Sequence, residues 1–249
     1  MISVPFAAAL TASVLSTSFV SGVFGMAGGM ILMGLLLSLM PLAPAMALHG
    51  ITQIASNAAR AWLWRQQICW PIVARYVCGG LVAVVAIALS PATPSKPIAL
   101  IFIGLTSLIG LCVPAALTPN VMDRRQAVGC GTLCTVLHLT CGVSGPMLDL
   151  FFVRADLGTK EIVATKAAIN TGGHFIKLIY FGHALLAGGS AVSPVAILLA
   201  IAAALLGTHL SRILLEAIDD ASFRQWSRRL IAAIAAVSLA QGLTLQFWS

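Results

Sequence analysis

Charge is scarce in this sequence. Only 8% of its 249 residues are Asp, Glu, Lys or Arg, against about 25% in a soluble domain. Acidic residues number 7. So few charges cannot solvate a soluble catalytic or nucleic-acid-binding domain of this length, and the net charge of +7 is therefore not a nucleic-acid footprint. No nucleotide-binding domain is present, so ATP cannot drive a process within this chain. The six cysteines form no CxxC pair, which argues against a disulfide framework or a dithiol redox motif and for small hydrophobes in apolar surroundings. Met1-Ile2-Ser3-Val4 carries no basic residue ahead of the first apolar run, so a cleaved signal peptide is not expected.

Apolar residues fill the space that charge leaves. They make up 59% of the chain, and the mean hydropathy is +1.01. The expectation is an all-α polytopic protein with the lipid bilayer as its solvent. Apolar runs lie at 5–24, 28–40, 45–64, 69–90, 98–117, 126–142, 145–153, 161–182, 192–215 and 229–247. Runs 28–40 and 145–153 are too short to span ~30 Å of hydrocarbon at about 1.5 Å per residue. Each follows a glycine-rich break: Ser21-Gly22-Val23-Phe24-Gly25-Met26-Ala27-Gly28-Gly29 and Cys141-Gly142-Val143-Ser144-Gly145-Pro146. A continuous helix disfavours such glycines by about 1 kcal/mol each. The reading is a helix, a break and a half-helix that returns to its starting side, once per half.

Basic residues agree with that topology. With both hairpins re-entrant and the other six runs crossing, Arg60, Arg65 and Arg75, then Arg124 and Arg125, then Arg154, Lys160 and Lys166, then Arg212, Arg224, Arg228 and Arg229 all fall on one side. The 183–193 loop has no Lys or Arg and the 91–97 loop only Lys96. By the positive-inside rule the basic side is cytoplasmic, and both termini are periplasmic. The first repeat is then 1–117 (hairpin 5–40, helices 45–64, 69–90 and 98–117), the linker 118–125, and the second repeat 126–249 (hairpin 126–153, helices 161–182, 192–215 and 229–247). The halves are antiparallel, an inverted-topology repeat.

The repeat is also legible in residues. Gly22-Val23-Phe24-Gly25 matches Gly142-Val143-Ser144-Gly145 at an offset of 120. The following helix matches at 117: His49 with Lys166, Gln53 with Asn170, Asn57 with His174, Arg60 with Lys177. Steps of 4, 4 and 3 in both copies place each set on one helix face.

A half-helix that starts at mid-membrane offers unpaired N–H groups and about half a positive charge. This suits an anion, and Pro146 fits a first helical turn. The alternative is that the glycines only allow close helix packing. The candidate substrate-binding set is the backbone at Gly25, Gly28, Gly29, Gly145 and Pro146 with the side chains Gln53, Asn57, Lys166, Asn170 and His174. Asp149, His49 and His138 are candidates for coupling to a proton or cation, with pairing of Asp149 to Lys166 or His174 the alternative for that residue. Arg60 and Lys177, near helix ends, are expected to snorkel to the interface. Cys130, Cys134, His138 and Cys141 share a stripe whose ~16 Å length at 1.5 Å per residue prevents all four from reaching one metal ion. They carry the competing reading of an intramembrane thiol or His redox or metal-handling protein.

The glycine breaks and the helices after them resemble the TauE/SafE family, the TSUP permeases of sulfite and organosulfur anions. The matching stretches are Gly22 to Gly29, Pro41, Ala45 to Ala59, Gly142 to Gly145 and Ala164 to Gly173. The chain departs from the pattern in spreading its first glycines as Gly-Met-Ala-Gly-Gly and in reading Val-Ser-Gly-Pro in the second copy. The resemblance implies a secondary permease, not an enzyme, in the bacterial inner membrane. It implies a small inorganic or organosulfur anion such as sulfite, thiosulfate or a sulfonate, with no cofactor, metal or nucleic acid; a homodimer is compatible with it.

Overall fold

The computed structural model describes residues 4–25, 27–89, 95–187 and 193–247. Met26 of the first break, residues 90–94 and 188–192 in the 91–97 and 183–193 loop regions, and the chain ends lie outside these. The described residues form ten α-helices: α1 Val4–Phe24, α2 Ala27–Leu39, α3 Leu42–Leu63, α4 Trp70–Leu89, α5 Lys96–Cys112, α6 Arg124–Thr140, α7 Gly145–Phe152, α8 Thr159–Ala187, α9 Pro194–Ala217 and α10 Asp220–Phe247. Local chemistry marks several starts. Asp123 caps α6 by accepting from the Gln126 N–H at 2.9 Å, and prolines sit in the first turns of α5, α7 and α9, where a missing N–H costs nothing.

Segments within α1, α4, α9 and α10 are long and apolar enough to cross a bilayer. α3 and α8 are also long, at 22 and 29 residues, but their polar stripes keep them from this apolar class. They occupy the centre, while α4, α5, α9 and α10 expose large side chains such as Leu81, Val85, Phe102, Leu198 and Val237. In water this would be an aggregation surface; in lipid it is the solvated face.

Packing follows a pseudo-twofold axis that exchanges α1–α5 with α6–α10. α1 packs on α9 as α4 packs on α6, α5 on α7 as α10 on α2, while α3 pairs with α8 and α5 with α10. The halves are interlocked rather than side by side. α3 and α8 run antiparallel: Gly50 lies against His174 and Leu178, while at the other end Lys160 sits over the Trp64 ring at 5.1 Å. Two equivalent helices that are antiparallel require an axis across the helices, so the repeat is inverted.

The second hairpin returns to its own end of the bundle. Arg154, just past α7, donates to the Thr118 carbonyl at 3.3 Å, and the Val121 N–H bonds the Phe151 carbonyl at 2.9 Å, beside the start of α6. Lys96, opening α5, reaches the Met40 carbonyl at the end of α2 at 3.5 Å.

The structure corrects the register of the breaks. Gly25 and Gly142 are the described glycines with positive φ, at 88° and 81°, in the region closed to most L-residues. They are each other's counterparts, one at the end of each hairpin's long arm. The offset is therefore 117 through the break as well as the helix, not 120, and Asp149 stands opposite Leu32 rather than Gly29. α8 and α10 also begin or end several residues beyond their apolar runs, because hydropathy stops at the first polar residue and the helix does not.

Candidate functional site

At each break the chain makes two helix ends at mid-bundle. The second arm (α2 or α7) presents a positive N-terminus, and the first arm (α1 or α6) ends in a carbonyl with the opposite polarity. The arrangement turns on what meets those carbonyls. Arg60 Nη1 donates to the Gly25 carbonyl at 2.9 Å. Its equivalent Lys177 donates through Nζ to the Gly142 carbonyl at 2.8 Å. Arg60 is 2% exposed and Lys177 0%. The expectation that both snorkel is wrong: each break folds over the cation on the neighbouring helix and takes it from the interface. No carboxylate among the described residues pairs with either cation.

Between the breaks lies a small cavity of about 20 Å³, lined by Gly25, Gly29 and Met30 of the first hairpin, His138, Val143, Ser144 and Gly145 of the second, His49, Gln53 and Asn57 of α3, and Asn170 and His174 of α8. All twelve are buried. By that measure the space holds about one water.

Part of the lining is committed to internal bonds, and part, including the Asn170 amide, is not. Asn57 Nδ2 donates to the Gln53 main-chain carbonyl at 2.8 Å and to Gln53 Oε1 at 3.2 Å, so the Gln53 amide oxygen is occupied while its Nε2 has no partner. Gly29 makes room for this amide: a Cβ there would stand 3.0 Å from Gln53 Oε1. His174 Nδ1 is likewise buried without a partner, its ring edge-on to His138 at 4.7 Å and to His49 at 5.2 Å. His49 is fully engaged, with Nε2 2.7 Å from the Gly29 carbonyl and Nδ1 2.6 Å from Lys177 Nζ. The carbonyl can only accept, so Nε2 carries the proton and Nδ1 accepts from lysine. His138 Nδ1 lies 3.1 Å from the Cys134 carbonyl and 3.0 Å from Ser144 Oγ.

Of the candidate binding residues, Gly25, Gly29, Gln53, Asn57, Gly145, Asn170 and His174 meet at this cavity, as do His49 and His138. Gly28, Pro146 and Lys166 do not line it. Gly28 is pressed on α1, where a Cβ would fall 1.7 Å from the Thr17 carbonyl oxygen, so close packing explains this glycine. Pro146 packs against Gly110 of α5. Lys166 is ion-paired to Asp149, the pairing named as the alternative for Asp149, and neither residue lines the cavity. The Gly29 N–H is also taken, by Ser21 Oγ at 2.9 Å. Reading the sequence missed Met30, Val143 and Ser144 of the lining and the roles of Arg60 and Lys177. The stripe spacing did place the last two on the cavity faces of α3 and α8, and that was the available signal.

The thiols lie elsewhere. Cys130 and Cys134 sit 3.9 Å apart between Sγ atoms in an apolar cluster with Tyr76, Leu148 and Ile169. Cys141 is buried among apolar side chains of the other cluster. None lines the cavity, and among the described residues no three His, Cys, Asp or Glu side chains are grouped to hold a metal ion.

The fold and the cavity define a polytopic membrane protein of two inverted repeats, with a buried polar cavity at their junction. The family model for the sulfite exporter TauE/SafE matches residues 10–240. The chain belongs to that family, whose members are membrane transporters rather than enzymes. No curated protein and no solved structure matched the chain.

Proposed function

We propose that this protein carries a small sulfur-containing oxyanion, such as sulfite, thiosulfate or an organosulfonate, across the bacterial inner membrane, binding it in the central cavity and releasing it by alternating access. The observation that carries the reading is the pair of buried cations on the break carbonyls. A charge held out of water without a counter-charge is expensive. Arg60 and Lys177 also cancel the negative ends of α1 and α6, so the positive ends of α2 and α7 dominate the field at the cavity. Gln53 Nε2, His174 Nδ1 and the Asn170 amide are open polar groups that an oxyanion would meet. The occupied cavity is wider than this one, and the Met30 thioether, a flexible side chain, is the wall best able to yield.

In this reading the repeats are 1–117 and 126–249 about the 118–125 linker, and the basic end is cytoplasmic. Arg65, Lys160 and Arg212 gather at that end around Trp62 and Trp64. The thiol reading has no support from the cavity geometry.

The test is flux and binding with purified protein. Sulfite and thiosulfate should raise the melting temperature and enter proteoliposomes, and chloride should do neither at equal concentration. Absence of any anion-dependent stabilisation or flux would refute the proposal.

A further inference from the structure

The charges around the cavity can be counted. The buried Arg and Lys side chains on its flanking helices are Arg60, Lys177 and Lys166, with the part-buried Asp149, while the imidazoles of His49, His138 and His174 line the cavity itself. Lys166 and Asp149 are paired and cancel. Arg60 and Lys177 remain, each bonded to the dipole of a carbonyl rather than to an opposite charge. Neither touches the cavity. Each stands one side chain behind the wall and reaches it through a lining residue: Arg60 Nη1 is 3.5 Å from Asn57 Oδ1, and Lys177 Nζ is 2.6 Å from His49 Nδ1. As pseudo-equivalents on antiparallel helices, they lie on opposite sides of the axis.

We infer that the occupant is a doubly charged oxyanion, and that Arg60 and Lys177 set this charge preference from behind Asn57 and His49. This rests on the anion-binding reading above. In a low-dielectric interior one unit of charge is felt through an intervening side chain. A singly charged ligand leaves one cation unbalanced, and a doubly charged one balances both. Simple partitioning cannot produce such a preference, because a doubly charged ion is more strongly hydrated and costs more to bury.

The experiment compares ions of one shape and two charges on the full-length purified protein, sulfate with perchlorate near neutral pH and sulfite with chlorate at the lowest pH that keeps sulfite doubly charged. Sulfite and chlorate are both pyramidal; sulfate and perchlorate are both tetrahedral. The doubly charged member of each pair should bind at least about tenfold more tightly. Lys177→Met and Arg60→Met should each reduce that ratio by about tenfold or more, and Lys177→Arg should keep it. Loss of a merely structural contact would weaken both members alike and leave the ratio unchanged. Equal binding of the two charges by the wild type overturns this inference and leaves anion transport standing. An undiminished ratio in folded Lys177→Met and Arg60→Met protein overturns the assignment to these residues. Should either variant fail to fold, the wild-type ratios still decide the charge. No binding of any of the four ions, nor of thiosulfate or an organosulfonate, overturns the anion reading itself.

Discussion

Replacing Gln53 by Leu separates binding from stability more cleanly than any other single change in the cavity. The Gln53 Nε2 group is buried, at 3% residue exposure, and no protein group accepts its hydrogens. Such an orphaned donor costs about 1–3 kcal/mol. Leucine removes that penalty at similar volume. What it sacrifices is the acceptor for Asn57 Nδ2 at 3.2 Å, the longer of that group's two bonds; the bond to the Gln53 main-chain carbonyl survives. The empty variant should therefore melt at the wild-type temperature or above it. Binding moves the other way. A hydrogen bond to a charged partner contributes about 1.5–3 kcal/mol, so the anion should bind roughly 10- to 150-fold more weakly, at about 1.4 kcal/mol per tenfold. Titration calorimetry with sulfite or thiosulfate gives the affinity, and a thermal melt without anion gives the stability. Unchanged affinity removes Gln53 from the site. Affinity and stability falling together would show that the amide is structural and that the argument from its orphaned donor is mistaken.

Three further outcomes are expected. Gly28→Ala drives a methyl into the Thr17 carbonyl and should lower stability by about 1–3 kcal/mol through overpacking, read in a thermal melt; an unaltered melt would mean that α1 and α2 are not held in this contact. Asp149→Asn strands the Lys166 ammonium. Because Asp149 is 29% exposed, the loss should be ~1–3 kcal/mol, below the full cost of breaking a buried pair. Adding Lys166→Met should restore most of it in a double-mutant cycle, and additive losses would exclude coupling between the two. Finally, Cys130→Ala with Cys134→Ala should leave anion affinity within about twofold, as expected for residues outside the site. A folded double variant that no longer binds would revive the thiol mechanism.

Much of this protein is legible in one dimension because the bilayer is a demanding solvent. Scarce charge, long apolar runs and two glycine breaks are enough for a polytopic helical protein with interrupted helices. The 4, 4, 3 spacing of His49, Gln53, Asn57 and Arg60, repeated by Lys166, Asn170, His174 and Lys177, is sufficient to place the polar faces of α3 and α8. Periodicity gives the angle of a side chain about its helix, and that is why Gln53, Asn57, Asn170 and His174 were found. It says nothing of the depth at which the helix sits or of what lies opposite. Arg60 is in the last turn of α3 and reads as an interfacial residue. Only the return of the α1–α2 break over that turn, placing the Gly25 carbonyl within hydrogen-bonding distance, makes it an interior charge. Lys166 and Lys177 share a helix and a chemistry, yet one meets Asp149 and the other the Gly142 carbonyl. Gly28 and Gly29 are neighbours, yet one faces α1 and the other the cavity. These distinctions depend on contacts between segments far apart in the chain, which tertiary packing alone decides.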